Sequence, residues 1–157
     1  MQKSALRLCL LLIFLVPIPV SMNGVARADS PCAIDVGKPE TLKLSGMLSH
    51  KIFPGPPNYE NTRKGDRPEP AYILTLDKPV CASGISVGKD KPLVSTEPFS
   101  TIHLLFDGNK DIARELKRLV GKRVTVQGEN GDEAFTGHHH APFIMDVKAI
   151  WAEGKGR

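Results

Sequence analysis

Apolar and polar residues alternate near both ends of the chain, a pattern typical of β-strands that bury one face. Residues 41–52 carry apolar side chains on one parity, at Leu42, Leu44, Leu48 and Ile52. Residues 143–151 do the same, at Phe143, Met145, Val147, Ala149 and Trp151. Gly46 lies on the buried parity of the first segment, where a missing side chain permits a sharp bend or a close backbone approach, as at a barrel corner. We expect both segments to be half-buried strands.

Three more strands are predicted between these two. Their segments are 71–77 and 99–106, which are rich in β-branched and aromatic residues, and 123–129. The intervening segment 79–98 is interrupted by glycines and prolines, so it should hold at most one short extra strand. The interrupting residues are Gly84, Gly88, Pro92 and Pro98.

Only residues 109–120 show helical spacing. The apolar residues Ile112, Leu116, Leu119 and Val120 fall at positions i, i+4, i+7 and i+8. Asn109 can cap the start and Gly121 can end the helix. The basic residues on the opposite side are expected to be a solvated face, with a docking surface as the alternative.

The element order is strand, strand, strand, helix, strand, strand. This order matches the OB-fold, a partly open Greek-key barrel. We therefore predict an all-β domain with one helix, built as an OB-fold-like β-barrel. A small sandwich or an open α+β sheet with the same elements is the alternative. In an OB-fold, the ligand usually meets the loops after the first strand and before the fifth.

Residues 1–28 have the pattern of a signal peptide. Lys3 and Arg7 precede an apolar run at 8–16, and residues 26–28 fit a small-x-small cleavage site. An uncleaved anchor is disfavoured because a spanning helix needs about 20 apolar residues. We expect cleavage after Ala28, no stable membrane anchor after it, and a periplasmic or secreted protein whose single domain covers residues 29–157.

The net charge changes when the signal peptide is removed. The full chain of 157 residues carries a formal charge of +4, from 21 basic and 17 acidic residues. Removal of Lys3, Arg7 and Arg27 leaves 18 basic residues against the same 17 acids. A nearly neutral exported domain has little attraction for a phosphate backbone, so we expect no nucleic-acid partner.

Export also leaves an even pair of cysteines. Cys9 departs with the signal peptide, and Cys32 and Cys81 remain in an oxidising compartment. We predict a disulfide between them. The alternative is a catalytic Cys81 thiolate, which is disfavoured because exported thiols with one available partner are usually oxidised.

The two loops that an OB-fold would use have unusual compositions. Residues 53–70 are proline-rich and long for a compact domain, and such loops are more often functional or disordered than simple connectors. This loop contains Tyr59 and Arg63. Residues 130–142 contain His138, His139 and His140 in a row. We expect a working surface that joins the two loops, with His138 and His140 at its centre and Tyr59 and Arg63 as flanking contacts.

The histidine run also raises the question of a metal ion. In an extended chain His138 and His140 point to one face, and zinc and copper both accept imidazole ligands. His50, at the end of the first strand on its buried parity, could complete the site, as could Asp132 or Glu133. The alternative is that the histidines pack, bond a loop carbonyl or are solvated. His103, in the third strand, is expected at the surface and apart from this cluster.

The chain resembles a family of exported bacterial proteins known as a domain of unknown function. The resemblance rests on residues 121–128 (GKRVTVQG) and on the Thr-Gly-His-His-His run at 136–140. Residues 54–59 (PGPPNY) and 74–81 (LTLDKPVC) add to it. The resemblance implies export and a shared fold.

Two function classes fit the sequence. One is a non-catalytic binding or inhibitory module that uses loops 53–70 and 130–142 on an unknown protein or small ligand. The other is a metal-dependent hydrolase, in which a histidine-bound zinc or copper ion activates water and Asp132 or Glu133 is the base. The absence of a third placed ligand and of a paired acid and base favours the module over an enzyme.

Overall fold

The computed structural model describes residues 34–35, 42–86, 91–93 and 96–154. The predicted signal peptide at 1–28 and Cys32 lie outside these residues. In the described part of the chain, no helix is long and apolar enough to cross a membrane.

Eight strands and one α-helix make up the described residues, with a 3-10 turn at Thr62–Lys64. The helix, α1, is Lys110–Leu119. The strands are β1 Ile34–Asp35, β2 Leu42–Pro54, β3 Pro68–Val80, β4 Ala82–Ser86, β5 Lys91–Leu93, β6 Phe99–Leu105, β7 Arg123–Glu133 and β8 Phe143–Ala152.

Five of the strands form a closed barrel in the order β2-β3-β6-β8-β7, with β7 pairing back to β2. The pairs are antiparallel except for β6 and β8, which are parallel. The prediction of an OB-fold-like barrel with one helix is confirmed. The prediction of at most one short extra strand in 79–98 is wrong, because β4 and β5 both lie there and form a small second sheet with β1.

The helix forms and ends as its sequence predicts. The Asn109 side chain accepts hydrogen bonds from the N–H groups of Asp111 and Ile112, which satisfies two donors of the first turn. Gly121, with φ 78°, follows the last turn. The buried face of Ile112, Leu116 and Leu119 packs on the barrel core beside β8.

Gly46 marks a close approach between β2 and β3. A Cβ atom at this position would overlap the carbonyl oxygen of Thr75 in the neighbouring strand. The expected close backbone approach at Gly46 is therefore present, at a residue where β2 pairs with β3 on one edge and with β7 on the other.

The buried parity of β2 ends earlier than expected. His50 and Ile52, which the alternation assigns to the core, are exposed, Ile52 by 65%. The reason is that β7 pairs with β2 only as far as Met47, whereas β2 and β3 continue as a two-stranded ribbon to Pro54 and Pro68. Beyond Leu48, this face of β2 lies outside the barrel interior, so His50 and Ile52 are exposed.

The parity of β8 also changes along the strand. Its register with β7 shifts between Gln127 and Gly128, so that Gln127 pairs with Ala149 and Gly128 with Val147. Val147 is buried, but the next buried residue is Ile150 instead of Ala149. An extra residue in one strand reverses the facing of those beyond it, which alternation alone does not reveal.

Candidate functional site

Two loops meet at one edge of the barrel. We call residues 55–67, between β2 and β3, the first loop, and residues 134–142, between β7 and β8, the histidine loop. They are shorter than predicted because the adjoining strands extend into both segments. Tyr59 Oη lies 3.4 Å from His138 Nε2, and Gly137 packs on the Tyr59 ring. The shared edge expected from the sequence is present.

The first loop is ordered around one buried carboxylate. Asp66 accepts hydrogen bonds from the backbone N–H groups of Asn58, Glu60 and Asn61 at 2.7–2.9 Å, and from the Asn58 side chain. These bonds favour the ionised form and hold the pKa of Asp66 below its usual range. These hydrogen bonds therefore hold the first loop in a defined conformation that fixes the position of Tyr59.

Glu69, at the start of β3, ties the histidine loop to this frame. His138 Nδ1 lies 2.7 Å from its Oε1, and His140 Nε2 lies 3.1 Å from its Oε2. An ionised carboxylate can only accept, so each of these ring nitrogens donates its N–H. In neutral His138 the lone pair is then on Nε2, where the Tyr59 hydroxyl can donate to it. One carboxylate thus fixes the orientation of two imidazoles.

His140 is a packed residue. Its side chain is 8% exposed and its ring stacks on Phe53, with centroids 4.3 Å apart and planes 2° from parallel. Ala141, the next residue, joins Ala71 and Ile73 of β3 in a small apolar cluster that Phe53 also contacts. The histidine loop therefore covers the outer face of β3, and His140 anchors it there.

His103 belongs to the cluster, so the expectation of a surface position apart from the other histidines is wrong. It is buried on the outer face of β6, with its ring 5.5 Å from that of His140 and 6.4 Å from that of His139. The backbone N–H of His140 donates to its Nδ1 at 3.3 Å. Burial, followed by the neighbouring imidazoles of His140 and His139, lowers the pKa of His103 to about 4. The histidine loop buries a side chain that an open strand face would expose.

The exposed rim of the histidine loop carries His139 and Phe135. The Phe135 N–H donates to His139 Nδ1 at 3.2 Å, and the two rings meet edge to face with centroids 4.7 Å apart. Burial lowers the pKa of His139, so it also favours the neutral ring. Phe135 is 47% exposed and Tyr59 40% exposed. The edge therefore presents two aromatic rings beside imidazole groups.

His50 does not join His138 and His140. It pairs with Tyr72 across the β2–β3 ribbon and contacts that ring, whereas Phe53 and Glu69 form a pair on the opposite face. His50 was expected in a common metal site because it lies on the buried parity of β2, but the buried part of β2 ends at Leu48. In the described residues, no group of three or more His, Cys, Asp or Glu side chains is arranged to hold a metal ion.

Arg63 stays outside the cluster. It is exposed in the 3-10 turn, and its backbone N–H donates to the Asn61 side chain that caps this turn. Among the described residues it makes no hydrogen bond or ring contact with His138 or His140. Of the four binding residues expected from the sequence, the structure brings together Tyr59, His138 and His140.

Three residues of the site were missed by sequence reasoning: Phe53, Glu69 and His103. Glu69 sits between two prolines in a run that reads as loop, so its place in β3 was hidden. Glu69 lies opposite Phe53 in the β2–β3 ribbon. Alternation alone does not predict a strand through Pro68 and Pro70, because proline is rare inside strands.

Residues 101–151 match the model of a family described as a domain of unknown function, DUF4431. This match covers β6 from its third residue, α1, β7, the histidine loop and most of β8. Neither comparison, with curated proteins or with solved structures, gave a match. The matched segment includes four of the five histidines.

Proposed function

We propose that this protein is a non-catalytic binding module whose contact edge is formed by the first loop and the histidine loop. The observation that carries the proposal is the bridge from Glu69 through His138 to Tyr59, which joins the two loops. In OB-folds the corresponding loops are the usual ligand contacts. The ligand is a small molecule or a protein of the compartment in which the chain works.

The edge has the composition of a recognition surface. Tyr59 and Phe135 offer exposed aromatic area, which contributes strongly to contact energy at little entropic cost. His138, 57% exposed at its side chain, offers a polar group whose orientation Glu69 already fixes. Such preorganisation reduces the entropy that binding must overcome.

A library of small molecules screened by protein-observed NMR tests the proposal. We expect hits whose amide shifts cluster in residues 55–67 and 134–142, and whose binding is lost in a Tyr59→Ala/His138→Ala variant. The matched control is His50→Ala, which removes an exposed histidine from the other face of the ribbon. Hits that shift only other regions, or that bind the double variant unchanged, would contradict the proposal.

Export and the disulfide belong to the same proposal. The signal-peptide pattern of residues 1–28 supports a periplasmic or secreted location. The Ile34 N–H donates to the Cys81 carbonyl at 3.3 Å, which brings the chain two residues after Cys32 next to Cys81. We expect mass spectrometry of non-reduced, exported protein to show a mature chain that begins near residue 29 with Cys32 bonded to Cys81. Two free thiols in the folded monomer would refute the pairing.

The alternative of a metal-dependent hydrolase retains one supporting observation. His138 donates from Nδ1 to a carboxylate, which leaves the lone pair on Nε2 beside the Tyr59 hydroxyl, and many metal-bound histidines have such a carboxylate partner on the other ring nitrogen. Metal analysis of tag-free protein separates the two functions. Stoichiometric zinc or copper that is lost in His138→Ala would favour the hydrolase, and metal-free protein that still binds its ligand would favour the module.

A further inference from the structure

A second feature, outside the contact edge, also has the form of a binding site. A groove of about 480 Å³ opens between β3 and the end of β6, where β6 turns towards α1. This volume lies within the range of roughly 300–1,000 Å³ of small-molecule sites. The groove lies where the pairing of β3 with β6 ends, at Tyr72 and Leu104.

The walls of the groove combine two aromatic rings with two carboxylates. Tyr72 and Phe106 meet edge to face, with centroids 6.1 Å apart and planes at 73°. Asp107 and Asp146 line the same groove. None of the described residues that line it is a lysine or an arginine. Aromatic faces and carboxylates together are the groups that attract an organic cation.

The surface around these carboxylates already stabilises one alkylammonium. Lys148 Nζ lies 2.7 Å from Glu129 Oε1, and this bond, with the charges of Asp146 and Asp107, raises the pKa of Lys148. Glu129 bonds the ammonium group directly, whereas Asp146 and Asp107 act on it through their charges. Lys148 itself is held by Glu129, which is not a wall of the groove.

A buried polar group also faces the groove. His103, 8% exposed, is one of its walls, and its Nδ1 accepts the His140 N–H, so its proton is on Nε2. The groove thus offers one N–H donor beside its acidic end.

The other end of the groove is apolar. Pro70 lines it, and Ile52, the most exposed large hydrophobic residue described, lies directly opposite Pro70 in the β2–β3 ribbon. A ligand that reaches from the carboxylates to Pro70 therefore has a cationic end and an apolar chain.

We propose that this groove binds a primary alkylammonium group on an apolar chain, with Asp107 and Asp146 as the anionic partners and Tyr72 and Phe106 as the aromatic walls. Where the ligand also carries an acceptor oxygen, the His103 Nε2–H donates to it. This chemistry fits a lysine side chain of a partner protein or a free aliphatic amine. The site goes beyond the proposed contact edge, and only His103, which the histidine loop buries, is common to the groove and the histidine cluster.

Titration of the full mature protein with Nα-acetyl-lysine methylamide, followed by NMR shifts of the groove amides, tests the proposal. We expect saturable shifts at residues 103–108 and 71–72, and none with the uncharged norleucine analogue. Cadaverine, which has the amine but no acceptor oxygen, separates the sources: tighter binding of the lysine derivative indicates a peptide ligand, and equal or tighter binding of cadaverine indicates a free amine.

The variant Asp107→Asn should weaken binding about tenfold, as expected for loss of one charge-assisted hydrogen bond. Asparagine suits this position because residue 107 has a φ of 39°, which asparagine tolerates. Asp146→Asn should have a similar effect, with thermal melting to confirm the fold. Glu115→Gln, which removes a carboxylate from the helix surface, is the matched control. Equal binding of the norleucine analogue, no saturable shift with either amine, or unchanged binding in both aspartate variants would overturn the proposal.

Discussion

Glu69 and His138, 69 residues apart in the chain, are joined by a contact of 2.7 Å between Oε1 and Nδ1. The other oxygen of the same carboxylate holds His140. Glu69 is thus the point at which the two loops become one surface, and its side chain is only 22% exposed. The orientation of His138 towards Tyr59 depends on it.

The variant Glu69→Gln should separate the effects of these two bonds. A glutamine offers one carbonyl oxygen, so it can accept from one imidazole and must present its NH₂ group to the other. We expect a loss of about 1 kcal/mol in the free energy of unfolding, as for one hydrogen bond, measured by urea denaturation. The NMR signals of the His138 or His140 ring should also move.

Glu60→Gln is the control, because that side chain is exposed in the first loop. Equal stability of Glu69→Gln and wild type, with unmoved histidine signals, would show that the carboxylate does not hold the loop.

Asp66 offers a separate test of the order of the first loop. Asp66→Asn leaves one acceptor oxygen where the carboxylate serves three backbone N–H groups. Amide hydrogen exchange at Asn58, Glu60 and Asn61 should accelerate by about tenfold or more, as expected when a protecting bond worth about 1.4 kcal/mol is lost.

The same bonds make the loop sensitive to acid. Because the pKa of Asp66 is lowered in the folded state, its contribution is complete above its ordinary pKa of 3.8 and is lost as the pH falls through the lowered value. Amide protection that is unaffected by both Asp66→Asn and acid would contradict this role.

The barrel could be predicted from the sequence because its strands follow simple rules. Leu44 lies between two polar neighbours, the 109–120 segment has one apolar face, and Gly46 is placed where a side chain would collide with the next strand. The histidine cluster could not be predicted in full, since burial of His103 is caused by a loop that returns from 37 residues later. The sequence of the strand that contains His103 predicts an exposed face, and in the fold His140 covers that face.

The error at His50 has a similar physical origin. Alternation states which residues share a face, and it does not state where the neighbouring strand stops. β7 leaves β2 at Met47, so residues that share parity with Leu48 face solvent. The neighbouring strands decide which side chains of the ribbon are buried. The sequence of one segment does not contain that information.

Gly46→Ala tests the close contact in the barrel. The added methyl group would overlap the backbone of Thr75, which cannot move without breaking the β2–β3 pairing. We expect a loss of at least about 2 kcal/mol in the free energy of unfolding, as for overpacking in a core. Met47→Ala, at an exposed neighbour, should change it by less than about 0.5 kcal/mol. A fully stable Gly46→Ala protein would mean that the strands are further apart than described.

His103 should make the protein less stable in weak acid. Its pKa falls from 6.5 to about 4 in the folded state, so between these values the unfolded chain binds a proton that the folded chain does not. Stability conferred by neutral His103 is therefore complete above pH 6.5 and is lost as the pH falls towards 4, with a slope of at most about 1.4 kcal/mol per pH unit for one proton. The groups that face it are His139, His140 and Glu69.

The variant His103→Asn isolates this contribution, because its Oδ1 can still accept the His140 N–H while the residue no longer titrates. In urea denaturation with a chelator present, the wild type should lose stability from pH 6.5 to 4 more steeply than His103→Asn, with His139 supplying part of the remaining slope. His50→Asn, at an exposed histidine, is the matched control. Parallel pH profiles for wild type and His103→Asn would mean that His103 is protonated as easily in the fold as in the unfolded chain, and that the histidine loop does not bury it.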